Sequence, residues 1–190
     1  LESRGLLYEI TEQGTPVRIA ARPMQKFFNH NENPFTTGVD LSTVDIVQEK
    51  ADGSLVSTYR PGSILRFKSQ GSLHSVQAQA ATRLLHSDKY NWFKQHANEL
   101  DLEGYTLNCE YVAPDNRIVV HYPEEQLIVL NARHRITGEY FDDGKLIEMF
   151  AGCVAPRYYQ KDFTELLLGI AGTPDPQFEG VVARTKSGLW

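Results

Sequence analysis

Glu49-Lys50-Ala51-Asp52-Gly53-Ser54 closes an apolar, β-branched stretch (43–49) with a lysine, a carboxylate two residues further on and then a glycine. Taken alone, the string reads first as a hairpin turn, because Asp-Gly is a common turn pair and a lysine beside it is usually solvated. It also suits a covalent nucleophile. A lysine amine must be neutral to attack, and free lysine is almost wholly charged near neutrality. Burial against Val44, Ile46 and Val47, with positive charge nearby, would favour the neutral form. Gly53 would let the chain turn tightly and let a ligand approach the backbone. Asp52 would orient the lysine or bond the ligand.

Working outward, residues 54–60 read as the partner strand, and Arg60-Pro61-Gly62-Ser63 turns into a third strand, 64–69. Lys50 then lies at the first strand-to-loop transition of a β-meander. Residues 5–10 and 17–21 are strand-like by apolar and β-branched content. From Ser72 to about Leu100 the period changes to a helical one through Val76, Ala80, Leu84, Trp92, Phe93, Ala97 and Leu100. His86-Ser87-Asp88 divides this stretch into two helices, with Ser87 or Asp88 capping the second. Trp92 and Phe93 are expected as core anchors. Further strands are expected at 105–113, 117–122, 126–135 and 138–141, a short helix at 162–170 and a last strand at about 178–185. The reading is one α+β domain, 1–190, mostly antiparallel sheet flanked by helices and cut at both ends.

The 190 residues, 41% of them hydrophobic, suffice for a real core. No apolar run approaches a membrane span, so no membrane association is expected. Cys109 and Cys153 form neither CxxC nor a disulfide framework, which favours a reducing, cytoplasmic setting. The net charge of −5 argues against a broad nucleic-acid footprint. A local basic cleft is still available from Arg22, Lys26, Lys50, Arg66, Lys68, Arg184 and Lys186, although Arg184 and Lys186 also read as solvated edge residues. The six histidines show no HxxxH or HExxH spacing, and there is no GxSxG and no GxxxxGK. Zinc hydrolase, serine hydrolase and P-loop chemistries are therefore poorly supported.

Two later segments change the weight of the opening string: Asn108-Cys109-Glu110-Tyr111-Val112 and Glu179-Gly180-Val181-Val182. In this order and spacing the three resemble the covalent nucleotidyltransferases, the superfamily of DNA ligases, RNA ligases and capping enzymes. Ala21-Arg22-Pro23-Met24-Gln25-Lys26-Phe27-Phe28-Asn29, Phe67-Lys68-Ser69-Gln70-Gly71-Ser72 and Leu130-Asn131-Ala132-Arg133 narrow the resemblance to the phage-type RNA ligases that repair tRNA. That resemblance covers nearly all of the chain and implies a nucleotidyltransferase, ATP-grasp-like fold.

It also implies roles. Lys50 would become adenylylated, and Arg4 and Lys26 would contact the ATP phosphates or purine. Phe28 would pack near the nucleotide, with Glu49, Asp52 and Gly53 beside it. Lys68 and Arg66 would help neutralise phosphate charge. Glu110 would serve the ribose or the metal, Glu179 would support Mg²⁺, and Val182 would flank the adenine. The implied activity is ATP-dependent RNA ligation on tRNA or other broken single-stranded ends, by a monomer. Two departures bear on it: Gln70 stands where a second lysine is common, and Lys186 is not a clean match to the last motif, an apolar–Lys–apolar–Lys strand. A DNA ligase or capping-type enzyme, or a non-catalytic nucleotide- or RNA-binding module, are the rival readings.

Overall fold

The computed structural model describes residues 3–34, 36–116, 119–158, 163 and 178–185. Among these the meander forms as the sequence expects: β3 (Val44–Glu49), β4 (Ser54–Tyr59) and β5 (Arg66–Ser69), preceded by β1 (Leu7–Ile10) and β2 (Pro16–Ala21). β6 (Tyr105–Val112), β7 (Gln126–His134), β8 (Arg157–Tyr158) and β9 (Val181–Thr185) follow the helical region. The meander does not close into one sheet. β3 joins a three-stranded sheet in the order β8-β3-β9, whereas β4 starts a four-stranded sheet in the order β5-β4-β6-β7. All their pairings are antiparallel, as is the separate β1-β2 hairpin. Lys50-Ala51-Asp52-Gly53 is thus the link by which the chain crosses from one sheet to the other.

Period-2 alternation explains the layering. On β6, Leu107, Cys109 and Tyr111 are buried in the main core, together with Val56, Phe67, Leu127 and Val129 of the neighbouring strands. Over this face lie α1 (Val76–Leu85) and α2 (Asn91–Leu102), which contribute Ala81, Leu85, Phe93 and Leu100. The opposite face carries a polar ladder, with Ser57 Oγ donating to Asn108 Oδ1 at 2.7 Å and Asn108 Nδ2 to Asn131 Oδ1 at 2.9 Å. Beside the ladder a smaller cluster of Leu55, Ile128, Leu130, Met24, Ala155 and Val182 fills the space toward the three-stranded sheet. The candidate site lies in this inter-sheet layer.

Several details differ from expectation. α1 is capped by Ser75, whose hydroxyl accepts from the Ala78 amide. α2 has no side-chain cap: Asp88–Tyr90 forms a 3-10 turn leading into it, and Ser87 Oγ donates backward to the Leu84 carbonyl at 2.7 Å. Residues 119–122 form no strand, because Pro123 and the surrounding bends interrupt pairing. Residues 138–141 contribute one isolated bridge, Arg133 to Tyr140. An unexpected helix, α3 (Asp143–Met149), is capped by Asp142 and anchored by Leu146 and Phe150 in the main core. Phe93 is fully buried, but Trp92 is 39% exposed and sits at the rim of the aromatic cluster. Apart from Phe163, the expected 162–170 helix lies outside the described residues, as does Lys186. No described helix is long and apolar enough to cross a membrane.

Candidate active site

Lys50 directly follows β3, where strand pairing gives way to the crossover. Its backbone amide still donates to the Gly180 carbonyl at 2.9 Å, tying the residue to the segment entering β9. The same approach brings Glu179 alongside, and the Lys50 amine forms an ion pair with the Glu179 carboxylate. The second carboxylate oxygen of Glu179, Oε2, is buried and has no partner among the described residues. Beside it, Glu49 accepts a hydrogen bond at its Oε1 from the Tyr158 hydroxyl at 2.6 Å. That bond to an anion, with burial, pushes the phenol up to about 12.

A cavity of about 210 Å³ opens between the sheets beside Lys50. Met24, Phe27, Leu55, Leu130 and Val182 make its apolar wall. Arg4, Lys26, Glu49, Lys50 and Glu110 give it a charged mouth. A second cavity, about 170 Å³, shares Glu49, Lys50 and Ala51 and is lined beyond them by Tyr122, Phe178 and Glu179. Lys50 therefore stands between two hollows, with Arg4 and Lys26 at the mouth of the first and Glu179 on the lining of the second. Burial pushes the Glu110 carboxyl up to about 8, against the opposing pull of Lys50 and the Gly53 amide.

The remaining expected residues lie apart from the cavity walls. Asp52 is 1% exposed and faces inward, where its Oδ2 accepts from the amides of Val119 and Val120, the latter at 2.6 Å. It clamps the loop before Tyr122 to the crossover and offers no atom to the first cavity. Gly53 is needed for a different close approach from the one expected: a Cβ there would stand 2.3 Å from the Tyr111 carbonyl oxygen of β6. Lys68 is 4% exposed and donates to the Gly5 carbonyl at 2.8 Å, while burial draws its ammonium down to about 8. It therefore braces the loop carrying Arg4 and does not face the cavity. Phe28 lies under the Lys26 ammonium, 4.3 Å from ring centroid to nitrogen, and Phe27 takes the wall position. Arg66 is exposed on β5. Arg184 is no solvated edge residue: it pairs with Asp143 at 3.0 Å and approaches Asp45 at 3.5 Å.

One residue was not anticipated. Gln48 is 2% exposed, lines the first cavity and leaves its side-chain oxygen without a partner among the described residues. The available signal is an amide directly after the apolar pair Ile46-Val47, in a strand whose other polar residues, Asp45 and Glu49, are charged.

The donor set can accommodate a divalent cation only in part. Among the described residues no group of three His, Cys, Asp or Glu side chains is placed to hold a metal. The orphaned Glu179 oxygen and the buried Glu110 carboxyl are each the kind of group a cation satisfies, but phosphate oxygens and water would have to complete the shell.

A family model described as RNA ligase matches residues 2–188. RNA ligase 1 of bacteriophage TS2126 is 32% identical over 152 residues, 75% of this chain and 37% of the phage protein. The chain thus spans little more than a third of the curated relatives it matches. Among solved structures, a mutant Naegleria gruberi RNA ligase without ligand aligns with a TM-score of 0.62 at 12% identity, covering 97% of this chain and 56% of that one. Another mutant of that ligase, solved with AMP and Mn, aligns with a TM-score of 0.61 at 14% identity, over 99% of this chain and 58% of the other. The structural likeness identifies the nucleotidyltransferase fold of these ligases. With the family model running almost end to end, the chain belongs to the RNA ligase family.

Proposed function

We propose that this chain carries the adenylylation chemistry of an ATP-dependent RNA ligase, with Lys50 as the nucleophile. The observation that carries the reading is the placement of Lys50 on the rim of an inter-sheet cavity with an apolar wall and cations at its mouth. A purine fits between the sheets, and Arg4 and Lys26 are placed to meet phosphates. The Naegleria relative, solved with AMP and Mn, supports a nucleotide in a fold of this type.

The chain's own residues divide the work. The Lys50 amine must leave Glu179, shed a proton and attack the α-phosphorus of ATP. The N–P bond forms as the bond to the departing pyrophosphate breaks. Arg4 and Lys26 would neutralise the charge that gathers on the phosphates during this in-line displacement. The lysine-bound AMP then passes to a 5′-phosphate of RNA, and the RNA 3′-hydroxyl displaces AMP to close the strand. Glu110 and Glu179 would hold Mg²⁺ together with phosphate oxygens, and the ion's role is to screen phosphate charge. Asp52 and Lys68 act on this chemistry by fixing the crossover and the Arg4 loop. Cys109 and Cys153 are free thiols, which supports action in a reducing compartment such as the cytoplasm.

The acceptor is the test of the ligase reading. Protein adenylylated with labelled ATP is separated from free nucleotide and mixed with a 5′-phosphorylated single-stranded RNA. Label moving to the RNA 5′ end, and then released as AMP when a 3′-hydroxyl is present, is the expected result. A tRNA broken in its anticodon loop should be the better acceptor on the tRNA-repair reading. Transfer only to nicked duplex DNA would assign a DNA ligase instead.

A further inference from the structure

We infer that the second cavity seats the 3′-terminal nucleoside of the RNA to be joined, its base against Phe178 and Tyr122 and its ribose hydroxyls toward Lys50; this rests on the ligase reading above. At about 170 Å³ the hollow is little smaller than the first, about 210 Å³, which on that reading admits an adenosine. Val120, Ile128, Ala155 and Pro156 give it an apolar wall, and Tyr122 and Phe178 add two aromatic rings. Every base has a π-face, so such a surface takes a terminal base whatever its identity. The wall is also fixed in place. Asp52 accepts from the amides of Val119 and Val120, and its own amide donates to the Tyr122 hydroxyl at 3.3 Å.

The polar groups select which end of an RNA enters. Among the described lining residues, the charges other than Lys50 are the carboxylates of Glu49 and Glu179. Carboxylates repel a phosphate and accept hydrogen bonds from hydroxyls. Glu179 Oε2 is buried without a partner among the described residues, and a carboxylate has acceptor positions enough for Lys50, a cation and a hydroxyl together. A 3′ end brings two hydroxyls as donors. A 5′ end brings a phosphate, which suits the Arg4 and Lys26 mouth of the first cavity instead. The reaction geometry agrees, because in-line displacement sets the entering and leaving groups on opposite sides of phosphorus. Both cavities share Lys50, so AMP leaves on the side of the first while the 3′-hydroxyl enters from the second. Its oxygen bonds to the 5′-phosphate phosphorus as the bond to AMP breaks, and its proton passes to water.

The test uses an RNA whose 3′-terminal residue is 4-thiouridine, irradiated with the chain and mapped by peptide mass. The crosslinks should fall in the peptides that hold Tyr122 and Phe178, and a 3′-phosphate on the same RNA should weaken them by roughly tenfold or more. Sealing of a pre-adenylylated donor strand to an acceptor RNA, which bypasses the Lys50 adduct, gives the functional arm. Phe178→Ala should raise the KM for the acceptor roughly 5- to 100-fold, the worth of one base stacked on a ring, and Phe178→Trp should restore it. Adduct formation with ATP, followed by intact mass, should suffer far less than sealing. Crosslinks from the 3′ end that map elsewhere, or a Phe178→Ala loss that is equal in both steps, would overturn the inference and leave the nucleophile assignment standing. If the parent forms neither a lysine adduct nor a 3′-end crosslink, both fall together.

Discussion

At Gly53 the carbonyl oxygen of Tyr111 leaves no room for a side chain, since an added Cβ would come within 2.3 Å of it. The obstacle is backbone, so it cannot swing away as a side chain would. Gly53→Ala should therefore destabilise the fold by about 2–3 kcal/mol through overpacking, read from urea midpoints at unchanged slope. Lys68 makes a prediction in pH. Its folded ammonium is drawn down to about 8, below the ordinary lysine value of 10.5. Between those values the unfolded chain binds the proton that the folded chain gives up, so this residue's contribution favours folding as pH rises and is lost as pH falls through about 8. The melting temperature of the parent relative to Lys68→Met should accordingly climb from pH 8 to pH 10; a gap that stays flat would mean that burial does not perturb this lysine. Both residues stood in recognisable strings, but their partners were out of view. A Gly in a turn signal says nothing about the strand pressed against it, and a lysine in an alternating strand does not announce a carbonyl 63 positions away.

Among the elements, the strands of the meander and the α1–α2 pair were legible because apolar periodicity is local. What periodicity could not give was the division of the meander between two sheets, which is decided by distant β9 pairing with β3. α3 escaped notice because Asp142-Asp143-Gly144 reads as a turn, whereas here Asp142 caps a helix by accepting from the Lys145 amide. Asp143, at the start of that helix, receives Arg157 at 3.1 Å and Arg184 at 3.0 Å. The Arg157 side chain is only 1% exposed. Asp143 therefore fastens α3 to both outer strands of the three-stranded sheet. Removing one partner of a buried ionic cluster strands the others, so Asp143→Ala should cost roughly 3–5 kcal/mol. A loss below about 1 kcal/mol, the level of a surface pair, would show that the cluster is solvated.

On the scale of the whole molecule, the site exists because two sheets face each other and one short crossover links them. Lys50 and Glu179 meet across 129 residues of sequence. Composition and period could not have joined them; the likeness of three separated strings to one family did. Of the residues that likeness singled out, the structure places Lys50, Glu110, Val182, Arg4, Lys26 and Glu49 on the first cavity's lining, and Glu179 against Lys50. It did not foresee that Asp52 and Lys68 face inward as braces, since a motif letter records that a residue is needed and not which way it points. Nor did it single out Gln48, a buried amide on the lining of the first cavity.

The central claim is that Lys50 becomes covalently joined to AMP, and intact mass after incubation with ATP and Mg²⁺ tests it most directly, with peptide mapping to locate the group. The account predicts a gain of one AMP, mapped to Lys50, absent in Lys50→Ala and released by added pyrophosphate. An adduct that persists in Lys50→Ala, or ATP binding with no adduct at all, would contradict it.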